Sequence, residues 1–207
     1  MIYKYFSTPF LTEQKPEFIT SLIKATDKYI KDARKKNKKL IKETNDFGVS
    51  HHSKSLLNDN KFLDFKNYIS NKTWAFLENQ GFDLTHYQTF YSEMWVQEFA
   101  KNGGGHHSTH VHRNQHVSGF YFLKSDEQTA YPIFHDPRPG ALMTKLPEKN
   151  TCVVSDANDK INFKPIPGTI LIFPGYIPHE FTVDKGKSPF RFIHFNIQAV
   201  PKGIITE

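Results

Sequence analysis

From about residue 86 onward the chain is a succession of β-rich runs broken by Gly, Pro, Asn and Asp. The runs are "HYQTFYSEMWVQEFA", "HVSGFYFLK", "AYPIFHD", "TCVVSDA", "KINFKPI", "GTILIFPG", "HEFTVD" and "SPFRFIHFNIQAV". Spacing of this kind, with turns such as "DKGK" between the runs, predicts an antiparallel sandwich or barrel rather than a parallel sheet. The first 80 residues read differently. Residues 15 to 36 place Phe18, Leu22, Ala25 and Tyr29 on one helical face, with Ile19, Ile23 and Ile30 beside them. A second helix is expected over about 58–80, where Phe62, Phe65, Ile69 and Phe76 recur at near-helical spacing. A chain of 207 residues has room for one sizeable core. A single domain over 1–207 is therefore expected, helical over about 1–82 and β-structured over about 83–200.

Nineteen Phe, nine Tyr and two Trp supply the apolar surface for such a core, and 23% charged residues argue against a membrane class. No apolar run approaches the roughly 20 residues of a transmembrane helix. The start, "MIYKYFSTPFLTEQ", lacks the basic end and apolar stretch of a signal peptide, so a cytoplasmic protein is expected. Cys152 is the single cysteine, which excludes an internal disulfide and a thiolate metal cluster. A metal site must then be built from His, Asp or Glu. Much of the formal charge of +6 sits in residues 31–42, "KDARKKNKKLIK", read as the polar end of a helix and the loop after it. A solvated basic face accounts for it, and nucleic acid is not indicated. The arginines are only Arg34, Arg113, Arg138 and Arg191. Lysine serves where generic charge is wanted, so these four mark places to look for a planar bidentate fork.

Five of the eleven histidines fall within eleven positions, His106 to His116, in "GGGHHSTHVHRNQHVSGFYFL". His110 and His112 are one residue apart, so on a strand both side chains point to one face and can serve one ion. Neutral imidazoles suit iron, zinc, copper and nickel. A solvated His-rich loop after three glycines explains the same letters, and His106 and His107 are read as loop residues. A second segment bears on the choice. A strand from Gly168 to Phe173 runs into Pro174–Gly175, His179 opens the next strand, and Arg191 follows after "DKGK". A hairpin of this length is expected to bring His179 and Arg191 onto neighbouring strands. Arg191 is flanked by Phe190, Phe192 and Ile193, and a cation in so apolar a strand needs an anionic partner.

A His-x-His or His-x-Asp pair, a single His some 50 to 70 positions later and an Arg about ten beyond resemble the 2-oxoglutarate- and Fe(II)-dependent oxygenases. More narrowly, "HVHRNQHVSGFYFL", "FHDPRPG", "GTILIFPGYIPH" and "FRFIHFN" resemble uncharacterised oxygenase-like proteins of marine bacteria and their phages. The resemblance covers about residues 88–197. It implies a mainly β fold, a double-stranded β-helix or jelly roll, with the N-terminal helices packed on one sheet. It also implies an Fe(II)- and 2-oxoglutarate-dependent dioxygenase that hydroxylates a primary substrate of unknown class with dioxygen. Carried onto this chain, His110, His112 and His179 become iron ligands, and Arg191 becomes the fork that grips the distal carboxylate of 2-oxoglutarate.

Two departures from that pattern matter. The middle ligand is usually Asp or Glu, where this chain has His112; Asp136 is the alternative third ligand. Ile193 stands where many members carry a Ser beside the Arg, and Tyr121 is the candidate to replace that hydroxyl at the co-substrate. Asp136 and Arg138 read either as a structural ion pair or as the substrate mouth. Phe120, Phe122 and Phe134 read as core. A cupin-type metal-dependent enzyme would share the barrel, but needs an acid soon after the His pair, and none occurs before Asp126. A non-catalytic jelly-roll binding module would have no openly coordinated metal. Fold alone does not choose the substrate.

Overall fold

In a computed structural model, which describes residues 1–3 and 5–204, two antiparallel sheets face each other. The strands are β1 (Leu11–Gln14), β2 (Ser50–His52), β3 (Tyr87–Phe99), β4 (His107–His110), β5 (Val117–Lys124), β6 (Pro132–His135), β7 (Lys160–Asn162), β8 (Thr169–Pro174), β9 (His179–Phe181) and β10 (Phe190–Pro201). The larger sheet runs β1-β8-β5-β10-β3-β2 and the smaller β4-β9-β6-β7. Helices α1 (Ile19–Lys36) and α3 (Leu63–Glu78) pack on the outer face of the larger sheet. This is the jelly roll with helices on one sheet that the family resemblance implies, and an antiparallel sandwich as the spacing of the runs predicts.

Strand parity divides the core in two. On β10 and β5, Ile193, Phe195, Ile197 and Tyr121 turn outward and join Leu22, Ile30, Phe65 and Ile69 of the helices. Phe190, Phe192, Phe120 and Phe122 turn inward and meet Phe134, Phe173 and Phe181 between the sheets. Each Leu, Ile or Phe fully buried on these faces contributes about 1.5–3 kcal/mol. Because β10, β5 and β8 are buried on both faces, they read in sequence as continuous apolar runs.

The helical N-terminal part also supplies two strands. β1 pairs with β8 and β2 with β3, closing both edges of the larger sheet. Residues 38–44, expected as loop, form α2 (Lys38–Thr44), which is rich in helix formers and stops at Asn45 in the left-handed conformation (φ 53°). "TCVVSDA" is not a strand; its Val153 and Val154 are exposed among turns. A short helix α4 (Pro139–Met143) follows β6. Among the described residues no helix is long and apolar enough to cross a membrane.

Candidate metal centre

His110 ends β4, His112 lies two residues on, and His179 opens β9. His110 and His179 are direct cross-strand partners. His112 is past the strand end, but its backbone N–H still donates to the Gly175 carbonyl at 3.0 Å, and the Gly175 N–H donates to the His116 carbonyl at 3.2 Å. A β-carbon on Gly175 would lie 2.6 Å from the Gln115 carbonyl oxygen. The close approach that holds the His112 segment against β8 therefore requires glycine.

The result is a cluster in which one ligand atom from each of His110, His112 and His179 lies within 4.8 Å of the others; among the described residues it is the one group of three or more such donors. The Nε2 atoms of His112 and His179 are 3.2 Å apart. His179 is fully buried against Phe120, Phe134 and Phe173, whereas His110 and His112 are partly open to solvent. Burial, followed by the neighbouring histidines, pushes His112 down to about 4. Burial pushes His179 down to about 3, against a bond to the Ile177 carbonyl that works the other way. Both rings are therefore neutral at pH 7, the form that binds a metal.

Partners fix two tautomers. His179 Nδ1 lies 2.9 Å from the Ile177 carbonyl oxygen and His110 Nδ1 lies 2.8 Å from that of Ser108. A carbonyl only accepts, so both Nδ1 atoms carry the proton and both Nε2 atoms keep a lone pair. His112 Nδ1 is 3.1 Å from Asn196 Nδ2, which also donates to Glu93 Oε2 at 3.0 Å; the Ser118 hydroxyl donates to Asn196 Oδ1 at 2.6 Å.

The other expected site residues are elsewhere. β9 is in the smaller sheet and β10 in the larger, so His179 and Arg191 are not on neighbouring strands. Arg191 faces the helices. Its Nε donates to Glu98 Oε2 at 2.8 Å, and Nη1 donates to Asp27 Oδ1 at 2.6 Å and to Thr26 Oγ1 at 3.2 Å. The anionic partner it needed is thus within the chain, and the fork is turned away from the histidines. Tyr121 is also on the outer face, packed on Phe65, with its hydroxyl donating to the Lys15 carbonyl at 2.7 Å. Neither side chain is turned to the cluster. Asp136 is not in the cluster either. Arg138 grips it through two guanidinium nitrogens at 2.9 and 2.7 Å, holding its carboxyl below the usual range. Both residues line a cavity of about 380 Å³ that Phe134 separates from His179, its ring stacked on the imidazole at 5.6 Å.

Two histidines were missed. His107, expected as loop, is on β4, its ring 2.6 Å from Gln97 Nε2 and packed on Phe99 and Phe181. His194 faces the cluster from β10 across the sandwich, its ring 4.7 Å from that of His112 and stacked on Trp95 at 4.5 Å. The signal for it was parity: His194 and Asn196 share the face of Phe190 and Phe192, opposite to Arg191.

Residues 93–196 match a family model described as "Putative 2OG-Fe(II) oxygenase". No curated protein matches the chain. Three solved structures share its architecture over nearly the whole length. A prolyl-4-hydroxylase from Pseudomonas putida matches with TM-score 0.57 and 10% identity, over 93% of this chain and 94% of that one. The viral collagen prolyl hydroxylase of Paramecium Bursaria Chlorella virus-1, solved with 2OG, matches with TM-score 0.54 and 14% identity, over 92% and 96%. AviO1 from Streptomyces viridochromogenes matches with TM-score 0.57 and 12% identity, over 97% and 93%.

Proposed function

Since the chain belongs to the family of 2-oxoglutarate- and Fe(II)-dependent oxygenases, which the match over half its length shows, we propose that His110, His112 and His179 are its iron ligands. The observation that carries this is their convergence within 4.8 Å. Three imidazoles, two of them held by carbonyl oxygens at Nδ1, fit a divalent late transition ion. Three protein donors would leave coordination positions for a chelating 2-oxo acid and dioxygen. When bound, the iron and the acid supply dioxygen activation coupled to oxidative decarboxylation, and the outcome is hydroxylation of a primary substrate.

The chain's own contribution is positioning and exclusion. The Ile177 and Ser108 carbonyls hold the two rings by their Nδ1–H groups. Phe120, Phe134 and Phe173 keep water from the buried side of His179. The substrate approaches from the side where His110 and His112 meet solvent. The reading also takes in the narrower likeness to oxygenase-like proteins of marine bacteria and phages, a cytoplasmic site of action and a single domain over 1–207; the motifs of residues 88–197 support the first of these.

The test is anaerobic titration of Fe(II)-loaded protein with 2-oxoglutarate, read by the weak visible charge-transfer band of a chelated 2-oxo acid, beside metal analysis of His179→Ala. One iron per chain and the band are expected for the wild type, and at least a tenfold weaker metal affinity for the variant. Undiminished iron binding in His179→Ala refutes the ligand set. Iron without the band returns the site to a cupin-type enzyme.

A further inference from the structure

Resting on that reading and deepening it, we propose that His194 receives a carboxylate of the metal-chelated 2-oxo acid, the part expected of Arg191. His194 is 1% exposed, and both its ring nitrogens are buried without a hydrogen-bond partner. Folded chains rarely leave a buried polar side chain wholly unmet, so two orphans on one ring call for a group that is not part of the chain. A third unpartnered atom, Gln97 Oε1, lies on the same inner face of the adjacent strand, two residues along from the His194–Trp95 pair. Of the six such atoms among the described residues, three are on this wall of the barrel.

The ring is held in place. Trp95 stacks on it with the planes 26° apart, and Phe120 packs at 5.4 Å. It stands against His112 but is not among the converging donors, so it serves the ligand rather than the metal. The residues that β5 and β10 turn to the cluster, Ser118, Phe120, Phe192, His194 and Asn196, include no lysine or arginine. An imidazole ring has at least one N–H to donate. A carboxylate, itself acceptor-only, takes the N–H. An acid that chelated a metal held by His112 would have its carboxylates within reach of this wall, since the His194 and His112 rings are 4.7 Å apart.

The experiment compares wild type, His194→Phe and His194→Gln by the same anaerobic titration with 2-oxoglutarate, with iron content and iron affinity measured separately. His194→Phe is expected to bind iron as the wild type does and 2-oxoglutarate about tenfold more weakly or worse, which is ~1.4 kcal/mol. His194→Gln, whose amide N–H donates, recovers part of the loss. In the Zn(II)-loaded wild type the ¹⁵N resonances of the His194 ring are expected to shift on adding 2-oxoglutarate, a readout that holds even where the Phe variant does not fold. Unchanged affinity in His194→Phe, unmoved ring resonances, or loss of iron together with the acid each overturns the assignment. A wild type that binds iron but no 2-oxoglutarate takes down the function as well, and is recognised because the wild type itself fails.

Discussion

Replacing Arg191 with Met tests where its charge is used. Its guanidinium meets Glu98 through Nε at 2.8 Å and Nη2 at 2.7 Å, and both side chains are almost fully buried, 6% and 4% exposed. The Asp27 arm, at 2.6 Å, is different, because that carboxylate is 58% exposed and such a pair is worth less than about 1 kcal/mol. The weight lies on Glu98. Without Arg191 its remaining cation is Arg34 at 3.6 Å, which is itself bound to Asp46 at 2.6 Å. Leaving one member of a buried pair costs about 3–5 kcal/mol, and the residual Arg34 contact puts this case near the lower end. For a chain of this size that is a fall of about 6–12 °C in Tm. Urea denaturation of the metal-free protein measures it, and the double variant Arg191→Met with Glu98→Leu should regain most of the loss. Affinity for 2-oxoglutarate at 25 °C should be unchanged. An Arg191→Met protein that keeps its stability and loses 2-oxoglutarate binding would refute this reasoning.

Gly119→Ala should destabilise by about 1–3 kcal/mol, because the new β-carbon would lie 2.3 Å from the Phe195 ring and 2.6 Å from the Leu171 carbonyl oxygen. Gly140→Ala, which has nothing within 4 Å, is the control, and equal urea midpoints for the two would count against it. For pH, burial lowers His107 and His112 to about 4 and His179 to about 3 in the folded state, below an unfolded value near 6.5. The unfolded chain then binds more protons, so the stability of the metal-free protein is complete above about pH 6.5 and declines as pH falls toward 3. Urea midpoints at pH 7.5, 6 and 5 check this above the range where Asp59 and Asp126, held at about 2, lose their contributions; a flat series would contradict it.

What could be read from the letters followed from how many independent constraints each element carries. β3, β5, β8 and β10 are long or apolar enough to announce themselves, and the two main helices have a clear period. β1, "LTEQ", and β2, "SHH", are short and polar; they are strands only because β8 and β3 offer them open edges. The His110–His112 spacing and the later His179 identified the cluster, whose donor atoms converge within 4.8 Å whatever the details of the loop. The face of Arg191 was not legible. In "FRFIHFNI" both faces are buried, so no polar alternation shows which residues turn inward, and a one-residue error in parity moves every side chain to the other side. A ladder irregularity between Arg191 and Phe192 falls at that point.

The proton inventory of the cluster links its two sheets. His179 Nε2 has no proton, so its 3.2 Å contact with His112 Nε2 requires the proton on His112. His112 Nδ1 is then an acceptor, which agrees with the Asn196 Nδ2 donor at 3.1 Å. To serve as a donor through Nε2, His112 would have to give up that proton and carry one on Nδ1 instead. Asn196 would then have to turn its oxygen to His112, which would send its Nδ2 to the Ser118 hydroxyl, 2.6 Å from the amide oxygen and able to accept. Glu93, exposed, then exchanges its amide partner for water. A single amide on β10 thus stands between the His112 ring and the hydrogen bonds of Ser118 and Glu93 on the larger sheet, a link that a carboxylate in the middle position, which has no tautomer, would not need.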